Sequence, residues 1–422
     1  QHRFVIPDGC HWQEVRERTE NLGAAIVGAM RQIEIANPDT LYGVLSMFSS
    51  QKWTNKAILN DSKIRDLIEH LSKRKLGNKD YPADLMGDAY EILLKKFADD
   101  SKAQAGEFYT PRSVVRLLVH ILDPQPGETV YDPACGSGGM LIEAIRYMHD
   151  DSLCCGSIFG QEKNVVNAAI AKMNLFLHGA SDFNVMQGDT LRDPKILQGG
   201  NIAKFDCVIA NPPFSLENWG ATEWSSDKYK RNIYGTPSDS CGDYAWIQHM
   251  ICSMSSGKGR MAVVMPQGIL FRGNQEAEIR KQLVESDLIE AVVTLGDKLF
   301  YGTGLSPCFL IIRRMKQAHH SGRILMIDGS KILTQKRAQN ILEENDIDRL
   351  YSLYQNYSDE EDYSRIVTLQ EIRDKEYNLS PNRYVVYHKE EIRPYAEVLA
   401  EFKQAYADVK RLENEFSLLI NA

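Results

Sequence analysis

The chain has 422 residues with ordinary hydrophobic (43%) and charged (25%) fractions, which leaves room for roughly two to three domains with proper cores. Its net charge of −8 argues against a protein that grips nucleic acid alone, because phosphate contacts supply most non-specific affinity, so a basic surface for DNA must be local or belong to another chain. No apolar run approaches the roughly 20 residues of a membrane span, and eight scattered cysteines without a CxxC pair or a Cys/His cluster predict a cytoplasmic protein with no bound metal.

Residues 1–104 predict a separate helical domain. In DSKIRDLIEHLSKRKLG, apolar residues recur at i, i+3, i+4 and i+7 from Ile64 to Leu71, with Asp61 or Ser62 as the N-cap. The stretch PADLMGDAYEILLKKFADD repeats this spacing, and no strand pattern interrupts the region.

Residues 105–330 alternate between strand and helix patterns. This alternation is typical of an α/β protein with a doubly wound, mostly parallel sheet and helices on both faces. The last strands lie close together in sequence, as expected if one of them is antiparallel. The predicted strands are Thr129–Tyr131, Ser157–Phe159, Asn184–Met186, Cys207–Ala210, Met261–Met265, Ala291–Leu295, Cys308–Ile312 and Ile324–Ile327.

Residues 331–422 are expected to form a C-terminal extension that is charged, rich in tyrosine and closed by a helix from about Pro394. The apolar residues of that helix are spaced by alternating steps of four and three, which is a heptad seam. A helix packed on its own domain and a contact with a partner chain explain the seam equally well. Its residues are Val398, Phe402, Ala405, Val409, Leu412, Phe416 and Leu419.

A glycine loop follows the first predicted strand in TVYDPACGSGGMLIEAI. Gly136, Gly138 and Gly139 let the backbone turn tightly and approach a ligand, as at the cofactor sites of doubly wound folds. The loop departs from the dinucleotide fingerprint GxGxxG, and Asp132 and Pro133 precede it. Because an acid there suits an ammonium group better than a pyrophosphate, the pattern favours S-adenosylmethionine.

Two further acids end the next predicted strands. Glu162, in SIFGQEKN, is placed to accept ribose hydroxyls, and Asp189, in VMQGDTL, is placed to take an adenine amino group. One acid at a strand end usually marks a solvated turn. Three in successive turns after a glycine loop indicate a cofactor site.

The apolar strand in FDCVIANPPF stops abruptly at Asn211, Pro212 and Pro213. Proline has a fixed φ and no N–H, so two prolines end a strand ladder. A stiff turn would explain them, and so would a catalytic site, because ligands bind at the carboxyl edge of a parallel sheet.

Three segments, in this order, resemble the γ-class amino-DNA methyltransferases, most closely the modification (HsdM-like) subunits of type I restriction systems. GEFYTPRSVVRLLV is similar to the family's first cofactor segment, DPACGSGGML to its glycine loop and ANPPF to its catalytic tetrapeptide; the helical N-terminal region and NLSPNRYV also match. The resemblance implies a Rossmann-like, S-adenosylmethionine-dependent methyltransferase acting on N6 of adenine in DNA. The cofactor-binding residues expected from the loop, the acids and this resemblance are Glu107, Phe108, Tyr109, Thr110, Pro111, Asp132, Pro133, Ala134, Gly136, Ser137, Gly138, Gly139, Glu162, Asp189, Thr190 and Asn211.

The resemblance assigns catalysis to Asn211, Pro212, Pro213 and Phe214. An adenine amino group is a poor nucleophile because its lone pair is delocalised, so it needs acceptors for its two N–H groups rather than a strong base. The Asn211 oxygen supplies one acceptor and the Pro212 carbonyl, aimed by the rigid proline pair, supplies another. Phe214 offers a face on which an extruded base can stack.

The loop after Phe214, SLENWGATEWSSDKYKRNIYGTPSDSCGDY, interleaves aromatic and basic residues. This mixture suits contact with an extruded base and its phosphates, and a surface loop with some aromatic packing explains it about as well. The candidates for DNA contact are Trp219, Lys228, Lys230 and Arg231.

The acidic charge and the terminal seam fit a subunit that borrows sequence recognition from a partner. By resemblance, the partners are DNA, an HsdS-like specificity subunit that binds two modification subunits, and an HsdR-like restriction motor. Two other functions stay open: a protein glutamine N5-methyltransferase, whose similar motif normally ends in tyrosine, and a non-catalytic DNA-clamping assembly subunit of the same fold. The acid and proline ahead of the glycine loop disfavour an NAD-dependent oxidoreductase.

Overall fold

A nine-stranded sheet organises the chain. The computed structural model describes residues 4–41, 43–45, 51–74, 85, 87, 89–90, 92–93, 110–148, 156–180, 182–300, 306–337, 339–388 and 395–420. They fall into two compact units, Gln1–Val385 and Val386–Ala422. None of the helices described in these ranges is long and apolar enough to cross a bilayer.

The sheet has the strand order β11-β10-β8-β9-β7-β6-β1-β2-β3, and a separate hairpin pairs β4 with β5. Strands β3, β2, β1, β6 and β7 run parallel to one another, whereas β9 is antiparallel to both β7 and β8. The strands are β1 Val130–Asp132, β2 Ile158–Glu162, β3 Phe183–Gln187, β4 Leu197–Gln198, β5 Asn201–Ile202, β6 Cys207–Ala210, β7 Arg260–Pro266, β8 Ile289–Leu295, β9 Pro307–Arg313, β10 Arg323–Gly329 and β11 Ser364–Thr368.

All eight predicted strands are present, and the predicted antiparallel strand is β9. Successive side chains point to opposite faces of a strand, and both faces here are covered. Val130 packs into one hydrophobic core and Tyr131 into the other, and along β6 Cys207 and Val208 divide in the same way. Strands buried on both faces read as continuous apolar runs, which is why they were visible in the sequence.

Helices surround the sheet and form the region before it. Among the described residues of the first unit they are Trp12–Arg16, Leu22–Ala36, Pro38–Leu41, Gln51–Thr54, Asp61–Ser72, Arg112–Leu122, Gly139–Met148, Val165–Leu177, Ala221–Trp224, Asp243–Ser253, Asn274–Glu285, Glu344–Asn356 and Leu369–Asp374. The terminal helix, Tyr395–Ile420, lies in the second unit, close to its predicted start at Pro394.

The N-terminal region is helical where it is described, with one shift from the predicted cap. The N-cap of Asp61–Ser72 is Asn60, whose side-chain oxygen accepts from the Lys63 amide at 3.0 Å. Ile64 and Ile68 of its apolar face are buried, whereas Leu67 and Leu71 are exposed. The second predicted helix lies largely outside the described residues, as does the predicted boundary at residue 104.

The predicted boundary at residue 330 is wrong, because the sheet continues beyond it. Strand β11, Ser364–Thr368, pairs antiparallel with β10, and the whole segment up to Val385 belongs to the first unit. The sequence SRIVT is a short edge strand that mixes polar and apolar residues, so it lacks the continuous apolar run of the central strands.

Candidate functional site

The predicted site residues follow the ends of four neighbouring strands. Asn211 follows β6, Asp132 ends β1, Glu162 ends β2, and Asp189 comes shortly after β3. These strands are adjacent and parallel in the order β6-β1-β2-β3, so their carboxyl ends form one edge. The chain order reverses between β1 and β6, which is where ligands bind in open α/β sheets.

The glycine loop turns as its residue types predict. Gly136 has φ of 53° and Gly138 has φ of 85°, both in the left-handed region that favours glycine. A Cβ added at Gly138 would lie 3.4 Å from Ala171, so the loop packs closely on the neighbouring helix. Gly139 begins the helix Gly139–Met148, and Cys135 is buried.

Hydrogen bonds tie the rest of this loop to its neighbours. The Ala134 amide donates to Asp132 Oδ1 at 2.9 Å, and Thr190 Oγ1 donates to the Pro133 carbonyl at 2.6 Å. Asn174 Nδ2 donates to the Ser137 carbonyl at 3.1 Å. The loop is therefore held by side chains from two other segments before any ligand binds.

Asp132 and Glu162 form a pair of carboxyl groups at the strand ends. Asp132 is 2% exposed, and burial raises the pKa of its carboxyl to about 8, with the nearby charge of Glu162 acting in the same direction. Glu162 accepts from the Gly136 amide at 3.0 Å and the Asn164 amide at 2.7 Å, and burial raises its pKa as well. Burial disfavours the charged forms of both carboxyl groups, so a cation bound beside them would stabilise those charged forms.

Asp189 differs from Asp132 and Glu162 in that it also lies within ion-pair distance of a lysine. Its Oδ1 accepts from the Leu191 and Arg192 amides at 3.2 Å, and its Oδ2 lies 2.9 Å from Lys163 Nζ. Contact with an adenine amino group would therefore replace Lys163, whose side chain is mostly exposed and free to leave.

The Asn211 side chain presents an unpaired acceptor. Its Nδ2 donates to Thr110 Oγ1 at 2.9 Å, which fixes the direction of the amide. Its Oδ1 is buried and has no hydrogen-bond partner among the described residues. A buried carbonyl oxygen without a donor costs free energy, so this atom is a place where a ligand N–H is expected.

The rest of the tetrapeptide surrounds that acceptor. Pro212 is buried and Pro213 is exposed. Within the described ranges no group donates to the Pro212 carbonyl. The Phe214 ring is half-buried, with its centroid 6.3 Å from that of Phe300. Pro111 is the N-cap of Arg112–Leu122, and Glu107, Phe108 and Tyr109 lie outside the described residues.

Asp243 and Arg272 brace the backbone just after Phe214, and the sequence predictions missed both. Ser215 has φ of 50°, and its amide donates to Asp243 Oδ1 at 2.7 Å. Arg272 donates to Asp243 Oδ2 at 2.7 Å and to Ser215 Oγ at 3.2 Å. Arg272 also lies between Cys241 and Glu276, so a guanidinium already supplies the positive charge in this cluster of metal-ligand residue types. The signal available in the sequence was an acid at the position where the helix Asp243–Ser253 begins.

Two of the predicted DNA-contact residues are wrong, because their side chains are buried. Trp219 is 2% exposed, packs edge-on against Trp224 and donates from Nε1 to the Ser238 carbonyl at 2.8 Å. Arg231 is also 2% exposed and forms an ion pair with Asp227 at 2.7 Å. Neither side chain is available to DNA here.

Arg231 instead ties the loop to the segment that follows β3. It donates to the Thr190 carbonyl at 2.9 Å and to the Leu191 carbonyl at 2.7 Å. Its Nη1 also lies 3.2 Å from His249 Nδ1. Burial and the Arg231 charge lower the pKa of His249, so the neutral ring accepts from Arg231 and donates from Nε2 to the Tyr131 hydroxyl. Lys228 and Lys230 remain exposed on the same loop.

Comparison with known proteins agrees with this geometry. Residues 81–392 match the N-6 DNA methylase family. The chain is 35% identical over 422 residues to the type I restriction enzyme MjaVII methylase subunit of Methanocaldococcus jannaschii, covering 96% of this chain and 70% of that protein. It is 31% identical over 396 residues to the HindI methylase subunit of Haemophilus influenzae, covering 90% of this chain and 84% of that protein.

A solved structure extends the likeness to the fold. The methyltransferase subunit of a type I restriction–modification system from Streptococcus thermophilus superposes with a TM-score of 0.79 at 27% identity, covering 90% of this chain and 81% of that chain. The sheet, the glycine loop, the Asn-Pro-Pro-Phe turn and the sequence match over most of the chain all agree. This chain belongs to the N-6 DNA methylase family.

Proposed function

We propose that this chain transfers a methyl group to N6 of adenine in DNA as the modification subunit of a type I restriction–modification complex. The observation that carries the proposal is the buried, unpaired Asn211 Oδ1 at the carboxyl edge of β6. The family match and the methylase-subunit relatives support the same reaction.

The donor set at this edge fits S-adenosylmethionine. Asp132 and Glu162 are neighbouring carboxyl groups with raised pKa values. The positive sulfonium and ammonium groups of the cofactor would stabilise their charged forms. The turn over Gly136–Gly139 leaves open space next to the backbone, since a Cβ added at Gly136 or Gly139 would meet no atom within 4 Å. When bound, the cofactor supplies the methyl group. Of the further predicted contacts, Thr190 is buried against Pro133 and positions the loop.

The catalytic part of the proposal concerns acceptors. As the adenine nitrogen moves towards tetrahedral geometry, its N–H groups gain positive character and bind acceptors more strongly. Asn211 Oδ1 accepts one N–H, because Thr110 holds the amide in that orientation. The Pro212 carbonyl accepts the other, and Phe214 stacks on the base. Because these acceptors are oriented before the substrate binds, little reorganisation is needed during the reaction.

The partner proposal depends on the terminal helix. Phe402, Val409, Leu412 and Phe416 of the predicted seam are each more than half exposed on this helix. Covering such a seam stabilises a helix–helix contact. We assign it to a specificity subunit bound by two modification subunits in the cytoplasm, with a restriction motor completing the complex. Phe402→Lys with Val409→Lys is expected to abolish co-purification, whereas Gln404→Lys on the polar face is not.

The test is methyl transfer by the complex with its specificity subunit, using labelled S-adenosylmethionine and DNA. Asn211→Ala is expected to abolish labelling of DNA and to leave cofactor binding, measured by calorimetry, within about threefold. Asn201→Ala, in the β4–β5 hairpin, is the matched control and keeps both. Label appearing in a glutamine-containing release-factor-like protein, or DNA binding with no transfer, would contradict the proposal.

A further inference from the structure

A cavity of about 630 Å³ lies beside the segment NLSPNRYV. This segment contributes no residue to the proposed cofactor and catalytic sites. The lining of the cavity includes Phe271, Arg280, Lys375, Asn378 and Arg383. Phe271 is 54% exposed, and both Lys375 and Arg383 are exposed. An exposed aromatic ring between basic and amide side chains is the composition of a nucleic-acid contact rather than of a core defect.

The cavity is held open by a buried arginine. Arg280 is 2% exposed and donates to the carbonyls of Tyr377 at 2.8 Å, Arg272 at 2.8 Å and Ile269 at 3.3 Å. The Leu379 amide donates to the Leu270 carbonyl at 2.9 Å, which fixes the NLSPNRYV segment against the wall that carries Phe271. The shape is therefore set before a ligand arrives.

The charge of the lining is positive. Within the part of the chain that the structure describes, Arg280 bonds carbonyl oxygens and no carboxylate lies within ion-pair distance of it. Lys375 and Arg383 add two more cations, and Glu376 is the one carboxylate in the lining. On a chain with a net charge of −8, this is a local surface suited to a phosphate.

The cavity also lies next to the catalytic turn. Arg272 follows Phe271 in the chain and donates to the Ser215 hydroxyl at 3.2 Å, and Ser215 follows Phe214. A single side chain thus joins the cavity wall to the residues proposed to hold the extruded base.

We infer that the cavity bounded by Phe271, Lys375 and Arg383 binds a phosphodiester of the DNA strand that carries the target adenine. The inference rests on the proposed function, since it places that DNA. Lys375 and Arg383 pair with the phosphate, and Asn378 with its neighbours supplies polar contacts. The cavity thereby supplies a local basic surface for an anionic substrate on a chain whose net charge is −8.

The test is the salt dependence of DNA binding by the complete complex with its specificity subunit. Each lost phosphate contact removes about 0.9 from the slope of log affinity against log salt concentration. Lys375→Gln with Arg383→Gln is expected to lower the slope by about 0.9, because the one phosphate contact is lost, and Arg383→Gln alone by about half of that. Arg373→Gln is the control, since Arg373 is held by Glu285 at 2.7 Å and does not line the cavity.

Cofactor binding by each variant, measured by calorimetry, reports whether the fold is intact. An unchanged slope in Arg383→Gln, which removes no contact of the Arg383 backbone, overturns the inference. Methyl transfer by the wild-type complex is measured in the same preparation. Transfer together with an unchanged slope rejects the cavity and keeps the proposed function, whereas absence of transfer to DNA rejects the proposed function itself.

Discussion

The carboxyl edge of β6, β1 and β2 and the loop over residues 215–242 both carry polar side chains, and they differ in what those side chains bond. At the edge, Asn211 Oδ1 has no partner among the described residues, and burial raises the pKa of Asp132 to about 8. In the loop, Arg231 bonds Asp227 and two backbone carbonyls, and Trp219 bonds the Ser238 carbonyl.

Asn211 Oδ1 and Arg231 therefore differ in whether a ligand could bond them without displacing a partner within the described residues. A buried group with all its bonds made stabilises the fold, whereas a buried group with a bond missing is held there by the rest of the structure at a cost. Arg231 and Asn211 belong to opposite classes although both were predicted to touch the substrate.

Arg231→Met is expected to have the largest effect on stability. It leaves Asp227 buried without a counter-charge and two carbonyls without donors, which costs about 3–5 kcal/mol of unfolding free energy. Urea denaturation measures the change, and Lys230→Met, at the exposed neighbour, should stay within about 0.5 kcal/mol. A variant that keeps full stability and loses DNA affinity would indicate that Arg231 contacts DNA.

Asp243→Ala is expected to lower the rate of methyl transfer. It removes the acceptor of the Ser215 amide and the partner of Arg272, so the left-handed turn after Phe214 loses its brace. Loss of a buried charged hydrogen bond of this kind costs about 1–3 kcal/mol, or roughly 5- to 150-fold in rate. Single-turnover kinetics measure the rate, and cofactor affinity should not change.

A second substitution distinguishes loss of the turn at Ser215 from general destabilisation of the fold. Glycine adopts φ near 50° without strain, so Ser215→Gly in the Asp243→Ala background should recover part of the rate. Asp239→Ala removes an exposed acid from the same loop and serves as the control. If Asp239→Ala slows transfer as much as Asp243→Ala, the brace has no special role.

Asp132 predicts a pH dependence of cofactor affinity. With a pKa of about 8, its carboxyl is mostly protonated at pH 7, and a cationic ligand favours the charged form. Affinity for S-adenosylmethionine should therefore rise about tenfold from pH 7 to pH 9. Asp132→Asn should remove this component, while the titration of the ligand itself is common to both proteins. Identical profiles in calorimetry would contradict the assignment.

The same carboxyl affects stability with a defined sign. Its pKa is raised above the ordinary value of about 3.9, so the native state binds more protons than the unfolded state between about pH 4 and pH 8. The contribution of Asp132 to the free energy of unfolding thus falls as pH rises through this window. Asp132→Asn should flatten that fall in cofactor-free protein, which thermal denaturation at several pH values measures.

Thr110→Val should give the smallest effect. It removes the hydroxyl that accepts from Asn211 Nδ2, so the productive orientation of the amide loses about 1 kcal/mol of stabilisation. Methyl transfer is then expected to slow roughly fivefold. Thr110→Ser keeps the acceptor and should retain most of the rate. Equal loss in both variants would mean that the methyl group, rather than the hydroxyl, matters.

The sequence predicted the parts of the molecule that are governed by local rules. Buried strands such as β6 read as apolar runs, Gly136 and Gly138 marked a left-handed turn, and acids at parallel strand ends had to meet at one edge. β11 was missed because an edge strand needs only one buried face.

Side-chain burial could not be predicted in the same way. Arg231 and Lys230 are adjacent and equally basic, yet one is buried against Asp227 and the other is exposed. What separates them is the packing of β1, Asp243–Ser253 and the turn at Thr190, which come together only in three dimensions. Asp243 was missed for the same reason.

A structure of the complete complex with S-adenosylhomocysteine and target DNA tests the central claim most directly. The account predicts the extruded adenine at the carboxyl edge of β6, with N6 within about 3.2 Å of Asn211 Oδ1 and of the Pro212 carbonyl. An adenine whose N6 bonds other groups, or a cofactor bound away from that edge, would contradict it.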